Sequence, residues 1–176
     1  DDMINESVST AQIKAAILAA ISAYENKTFF FNQRVSTFST VAAQEYYSST
    51  DLSYIPDITK IFAMSVTNNS VKTPVYPVGF DEIEAIQTTS ATGLPKYYAA
   101  FKQQIRIYPI PDAVYTMTIS HTYKFAALSA DSDTNAWMVD GEEMIREGAK
   151  RRLWLDKLYN KNNADACKVL EDEAYD

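Results

Sequence analysis

The stretch Tyr97–Phe125, YYAAFKQQIRIYPIPDAVYTMTISHTYKF, decides how this chain is read. Two runs alternate between apolar and polar residues, and YPIPDA separates them. In the first run Ile105 and Ile107 share one face, with Arg106 between them on the other. In the second, Tyr115, Met117, Ile119, His121 and Tyr123 line one face, and Thr116, Thr118, Ser120 and Thr122 the other. That period of two is the signature of a half-buried strand. Proline fixes φ and aspartate bonds its own backbone, so PIPDA is turn chemistry. The spacing therefore predicts a hairpin whose strands run over Ala100–Tyr108 and Val114–Phe125. His121, the chain's one histidine, falls in the apolar row and reads as a packed sheet residue.

Working outward, the preceding region has the same character. TFFFNQRVSTFSTVAAQEYY is dense in β-branched and aromatic residues, and RVSTFSTV alternates as a strand. Ile58–Val66 predicts a second strand, with TNNS as the turn after it. The two prolines of VKTPVYPV predict an edge strand or a connection, because proline cannot donate to a ladder. FDEIEAI (Phe80–Ile86) predicts one or two helical turns, with Asp81 placed to suit the helix dipole. TTSATGLPK predicts a loop.

Both ends predict helices. In Ser7–Asn26, Ile13, Ile17, Ile21 and Tyr24 recur at helical spacing beside Ala16 and Ala20. Ser9 or Thr10 supplies the cap, and Asn26 the stop. The alanines permit close approach of a neighbouring helix. GEEMIREGAKRRLWLDKLYN (Gly141–Asn160) places Met144, Ile145, Ala149, Leu153, Trp154, Leu155 and Leu158 in a helix with acids at its start. ADACKVLEDEAYD predicts a last helix with Ala166, Cys167, Leu170 and Ala174 along one side. The expected fold class is α+β: N- and C-terminal helices packed as a small bundle against a central antiparallel β region. A single domain over residues 1–176 is expected, with helices at about 7–26, 141–160 and 163–174 and a β-rich region at about 28–125.

Composition narrows the function classes. The formal net charge is −7 and the pI about 4.7, which disfavours a protein that grips nucleic acid. The basic triplet Lys150, Arg151, Arg152 reads as a solvated or salt-bridged helix face. Twelve tyrosines and eight phenylalanines suit half-buried sheets and subunit contacts. Cys167 is the single cysteine, so an internal disulfide is excluded, and it reads as a structural thiol. No window approaches a membrane span. The chain begins at Asp1 rather than Met, as trimming would leave it, and lacks the basic segment that opens a signal peptide.

Catalytic chemistry finds little footing. A Ser–His or Cys–His mechanism must run through His121, and no Gly-x-Ser-x-Gly elbow accompanies it. Glu82 with Glu84, Glu142 with Glu143, and Asp131 with Asp133 are carboxylate pairs of the kind glycoside hydrolysis uses. Adjacent or i,i+2 acids on a helix point apart, so the first two read as solvated helix turns. DSDTN resembles the start of a calcium loop but lacks its glycine and distal glutamate, and reads as a capping turn. Four glycines form no phosphate-cradling loop. No catalytic residue, cofactor or metal is expected.

Several of these segments in series carry a resemblance. DITKIFAMSV, FDEIEAI, then Gly93-Leu-Pro-Lys-Tyr-Tyr98 leading to Ile105-Arg-Ile-Tyr-Pro-Ile-Pro-Asp112 and a Tyr-rich return strand, resemble tailed-phage head–tail adaptor proteins. Leu128 and Ser129, then Asn135 and Trp137 before a helix, continue the pattern; the likeness spans roughly residues 52–155. The resemblance implies a virion structural protein of the neck, assembled in the host cytoplasm. It implies a homo-oligomeric ring, commonly a dodecamer, beneath the portal, which extends the DNA channel and offers a platform to tail or other neck proteins. Double-stranded DNA then passes the lumen without sequence-specific binding, which an acidic surface suits. The chain stops at Asp176 soon after its last helix, a departure by which a long portal-inserting arm is expected to be missing or very short. Ala166, Val169, Leu170 and Tyr175 are the candidate portal interface. Lys150, Arg151 and Arg152, facing acids of a neighbouring copy, are the candidate subunit interface. The alternatives are a cell-wall-degrading tail accessory protein and another virion structural protein.

Overall fold

A computed structural model describes residues 8–86, 91–101, 103–130 and 132–175. Asp131 and part of the predicted TTSATGLPK loop lie outside the described residues. The chain divides into two compact units. A helical unit is made by Asp1–Phe31 with Phe125–Asp176, and a sheet unit by Asn32–Lys124. The α+β class read from sequence is what the elements form.

In the helical unit, α1 spans Thr10–Tyr24. Ser9 caps it in a capping box: its side chain accepts from the Gln12 backbone while the Gln12 side chain accepts from the Ser9 backbone. A short helix α3 (Ala136–Val139) and the longer α4 (Glu142–Asp156) and α5 (Lys161–Tyr175) complete the unit. Ala16, Ala20 and Ile21 of α1 bury against Trp137, Met144, Ile145, Ala149 and Leu153. The helical ends thus pack together, as the Ile and Ala spacing predicted. The buried row of α5 differs from the predicted one. It is Ala164, Cys167 and Glu171, whereas Ala166, Leu170 and Ala174 face outward.

The sheet unit holds strands β1 (Gln33–Ser39), β2 (Tyr46–Ser48), β3 (Ile58–Asn68), β4 (Val71–Pro77), β5 (Tyr97–Phe101), β6 (Gln104–Tyr108) and β7 (Thr116–Tyr123), with helix α2 at Phe80–Ile86. Their order is β1-β7-β3-β4-β5-β6-β2. All pairings are antiparallel except β4 with β5. Asn68 pairs with Val71, and Asn69 and Ser70 between them both have positive φ. That is the conformation a two-residue hairpin turn needs, and one that asparagine tolerates well. Met117 and Ile119 of β7 are fully buried with Val66 and Ile107 at the core.

Two expectations are corrected. The runs on either side of YPIPDA do not pair with each other: β6 pairs with β5 and β2, and β7 with β1 and β3. The hairpin lies inside the first run instead, where Phe101 pairs with Gln104. Pro109 and Pro111 have no N–H to extend a ladder across the later turn. Second, VKTPVYPV is not at the sheet edge, since β4 lies between β3 and β5. It tolerates its prolines because each meets one neighbour only: Pro74 opposes Ser65 of β3, and Pro77 opposes Tyr98 of β5.

Candidate functional site

The Lys150-Arg151-Arg152 triplet lies on α4, and two of its charges are engaged within the chain. Lys150 Nζ donates to Glu147 Oε1 at 3.0 Å, one turn back on the same helix. Arg151 Nε donates to Glu171 Oε2 of α5 at 2.6 Å. Tyr24, the last residue of α1, donates to the other Glu171 oxygen at 2.7 Å. One carboxylate, 4% exposed, therefore ties all three long helices together. Burial first, and then the Glu171 carboxylate, push the Tyr24 hydroxyl far above its ordinary range. Gly148 makes the approach possible: a Cβ there would stand 2.8 Å from Glu171 Oε1 and 3.5 Å from the Ala20 Cβ.

Glu147 is equally buried. Burial works to raise its pKa, but contacts from Lys150 and Arg146 outweigh that and hold it below the usual carboxylate range. Arg152 differs from its neighbours, because its buried Nε meets no hydrogen-bond partner. It lines a groove of about 410 Å³ with Ala11, Ala15 and Ala19 of α1 and Asp156 of α4. Of the triplet, Arg152 is the member with a buried donor left unmet.

The four residues of the C-terminal surface separate in the same way. Ala166, Val169 and Leu170 recur at i, i+3 and i+4 and face outward, Val169 and Leu170 being 56% and 47% exposed. Tyr175 is 41% exposed, but its ring is engaged within the chain. Its ring lies 5.9 Å from that of Tyr24 and 5.7 Å from that of Phe29, with Lys27 Nζ 5.1 Å from its centroid.

His121 is 1% exposed on β7. Its Nε2 lies 3.0 Å from Ser36 Oγ and its Nδ1 3.2 Å from the Thr122 carbonyl, while its ring stacks on Tyr54 at 5.9 Å. Burial pulls its pKa below the ordinary value. The sheet-residue reading holds. The carboxylates weighed for catalysis serve structure too: Glu82 caps Gly79 N–H at 2.8 Å, Glu84 pairs with Arg106, and Glu142 and Glu143 both reach Arg146. Asp133 Oδ2 accepts from the Ser129 and Ala130 amides at 2.8 Å each, and Asn135 caps α3. That is the capping turn predicted from DSDTN.

Sequence reasoning missed Glu147, Glu171 and the buried Arg106. Arg106 is 2% exposed, ion-paired to Glu45 and Glu84 and flanked by the rings of Tyr46 and Phe80 at 5.3 and 4.9 Å. A signal for Glu171 was present: it follows Ala164 and Cys167 at helical spacing, in the apolar row.

The geometry is that of a packed scaffold with outward-facing helical surfaces, and residues 1–175 match the family of the SU10 adaptor protein. The chain belongs to that family. No match is found among curated proteins. As an SU10 adaptor protein the chain has a phage adaptor's structural role, and is a component of the virion. An adaptor family suggests a non-enzyme. Among the described residues, no helix is long and apolar enough to cross a membrane.

Proposed function

We propose that this SU10 adaptor is a head–tail connector, which forms a homo-oligomeric ring under the portal, extends the DNA channel, and joins the capsid to tail components. The observation that carries the reading is the family match over residues 1–175. The outward ridge of Ala166, Val169 and Leu170 is the portal contact, because an apolar stripe on an otherwise charged helix loses least by being covered. Arg152 at the α1–α4 groove is the subunit contact, taking a carboxylate from the neighbouring copy. Arg151 supports that contact by tying α4 to Glu171 of α5, and Lys150 by pairing with Glu147 within α4. A net charge of −7 lets DNA pass without being held.

Coexpression with the portal protein of the same phage is expected to give a ring complex. Deleting the last helix is a poor test, since it removes Glu171 and Cys167 from the packing. Val169→Glu with Leu170→Glu is the better variant: it leaves the folded adaptor intact and is expected to abolish portal binding. A portal complex unchanged by this variant rejects the ridge. A virion image with the adaptor away from the neck rejects the connector reading itself.

A further inference from the structure

The sheet unit carries a cleft that neither surface above uses. β4 pairs with β3 from Val71 to Val75, and with β5 only through Tyr76 and Pro77. The chain then leaves for α2. Past that point, Ile58, Lys60 and Ile61 of β3 pair with β7 on one side, with register shifts at Thr59 and Phe62, and, among the described residues, with no strand on the other. Ala99–Phe101 of β5 likewise pair with β6 alone. The two open edges share a cleft of about 360 Å³, lined by Ile58, Lys60 and Ile61 on one side and Ala100 and Phe101 on the other, with Val78 at its head. Strands that flank a single strand stand two ladder spacings apart, roughly 10 Å. The cleft opens where β4 leaves the sheet, along the track that strand would have followed. Ile58 and Ile61 are half-buried there, packed against the core, and Lys60 is the one charged side chain in the lining among the described residues.

We propose that this cleft receives an extended segment of another virion protein, which adds a strand to the sheet. Open main-chain edges specify such a ligand, because an extended chain supplies the missing donors and acceptors to both sides. Running in the direction of β4, the segment lies antiparallel to β3 and parallel to β5. β-Branched residues at alternate positions complete the burial of Ile58 and Ile61, and a carboxylate pairs with Lys60. The described strands of this chain are all engaged in its own sheet, which disfavours a second copy as the donor.

Panning a randomised short-peptide library against the protein tests this. Alternating β-branched sequences with an acidic residue are expected to be enriched. The enrichment is expected to vanish with Ala100→Trp, which fills the cleft from an exposed position, and to shift to basic sequences with Lys60→Glu. Matching circular dichroism melts establish that each variant is folded. The enriched peptide is expected to slow amide exchange about tenfold at 58–62 and 99–101, and N-methylation of its alternate amides to abolish the effect. No enrichment, enrichment indifferent to both variants, protection elsewhere, or equal binding of the N-methylated peptide overturns the proposal. Self-association that protects the same amides without peptide also overturns it, by placing a second copy in the cleft.

Discussion

Both units bury charge, but of opposite sign: Arg106 in the sheet unit and two carboxylates in the helical unit. The sheet unit hides an apolar cluster of Met64, Val66, Ile107, Met117 and Ile119 behind strands that pair over long sequence distances. The helical unit also has an apolar core, yet it places two carboxylates, Glu147 and Glu171, at its helix contacts. Apolar burial is non-directional, so the sheet core sets stability more than geometry. A buried carboxylate accepts only from donors in the right places, and Glu171 fixes how three helices meet. The apolar cluster of the sheet should therefore respond to lost volume, and the helix contacts, like the Arg106 ion pair, to lost partners.

The largest effect is expected from Ile119→Ala. Ile119 is fully buried on β7, and deleting its side chain is expected to cost about 3 to 4 kcal/mol in urea unfolding. Glu171→Ala comes next, at about 2 kcal/mol, because it strands the Tyr24 hydroxyl and a partly exposed Arg151. Equal costs for Glu171→Ala and for a surface control such as Glu173→Ala would break the contrast.

Gly148→Ala sharpens it. The new methyl displaces Glu171 Oε1 from Tyr24, and a net loss of about 1 kcal/mol is expected despite the better helix propensity. In the Glu171→Ala background the same substitution is expected to stabilise, since the obstacle is gone while the propensity gain remains. A double-mutant cycle with no coupling would falsify the role given to Gly148.

Protonation separates the units by pH. The folded pKa of His121 lies below the ordinary 6.5, so the neutral ring's contribution is complete above that pH and is lost as pH falls toward the folded value. Glu147 lies below the ordinary 4.5, so its contribution is complete above 4.5 and is lost as pH falls through its lower folded value. Acidification from neutrality is therefore expected to weaken the sheet unit first. Both tryptophans, Trp137 and Trp154, lie in the helical unit, so their emission reports that unit while amide exchange in β1 and β7 reports the other. His121→Asn is expected to flatten the pH dependence in the sheet below pH 6.5 and to leave tryptophan emission unchanged.

What the sequence disclosed follows the same division. Helical periodicity is local, so α1, its Ser9 cap and the α4 and α5 segments could be read to within a few residues. The alternation of β7 is local as well, and it placed His121 correctly on the buried face. Strand partners are not local. Nothing in YPIPDA says that β7 pairs with β1 and β3 rather than β6, or that a proline-bearing β4 lies inside the sheet. The outward ridge at Ala166, Val169 and Leu170 was legible as an apolar stripe. Its separation from Tyr175 was not, because that depends on Tyr24 and Phe29 folding over from α1 and the segment after it.

The cleft beside β4 also bears on how this chain survives before assembly. Open strand edges are templates for any extended chain, and during synthesis at high copy number the nearest such chain is a half-folded sibling. Lys60 at one rim and Pro77 at the head of the cleft are residues of the kind that discourage such pairing, one by charge and one by withholding an amide. Replacing either with a β-branched residue would leave the folded monomer intact while turning overexpressed protein toward inclusion bodies. Those two side chains then act as sentries of solubility, guarding the adaptor until its place in the particle is filled.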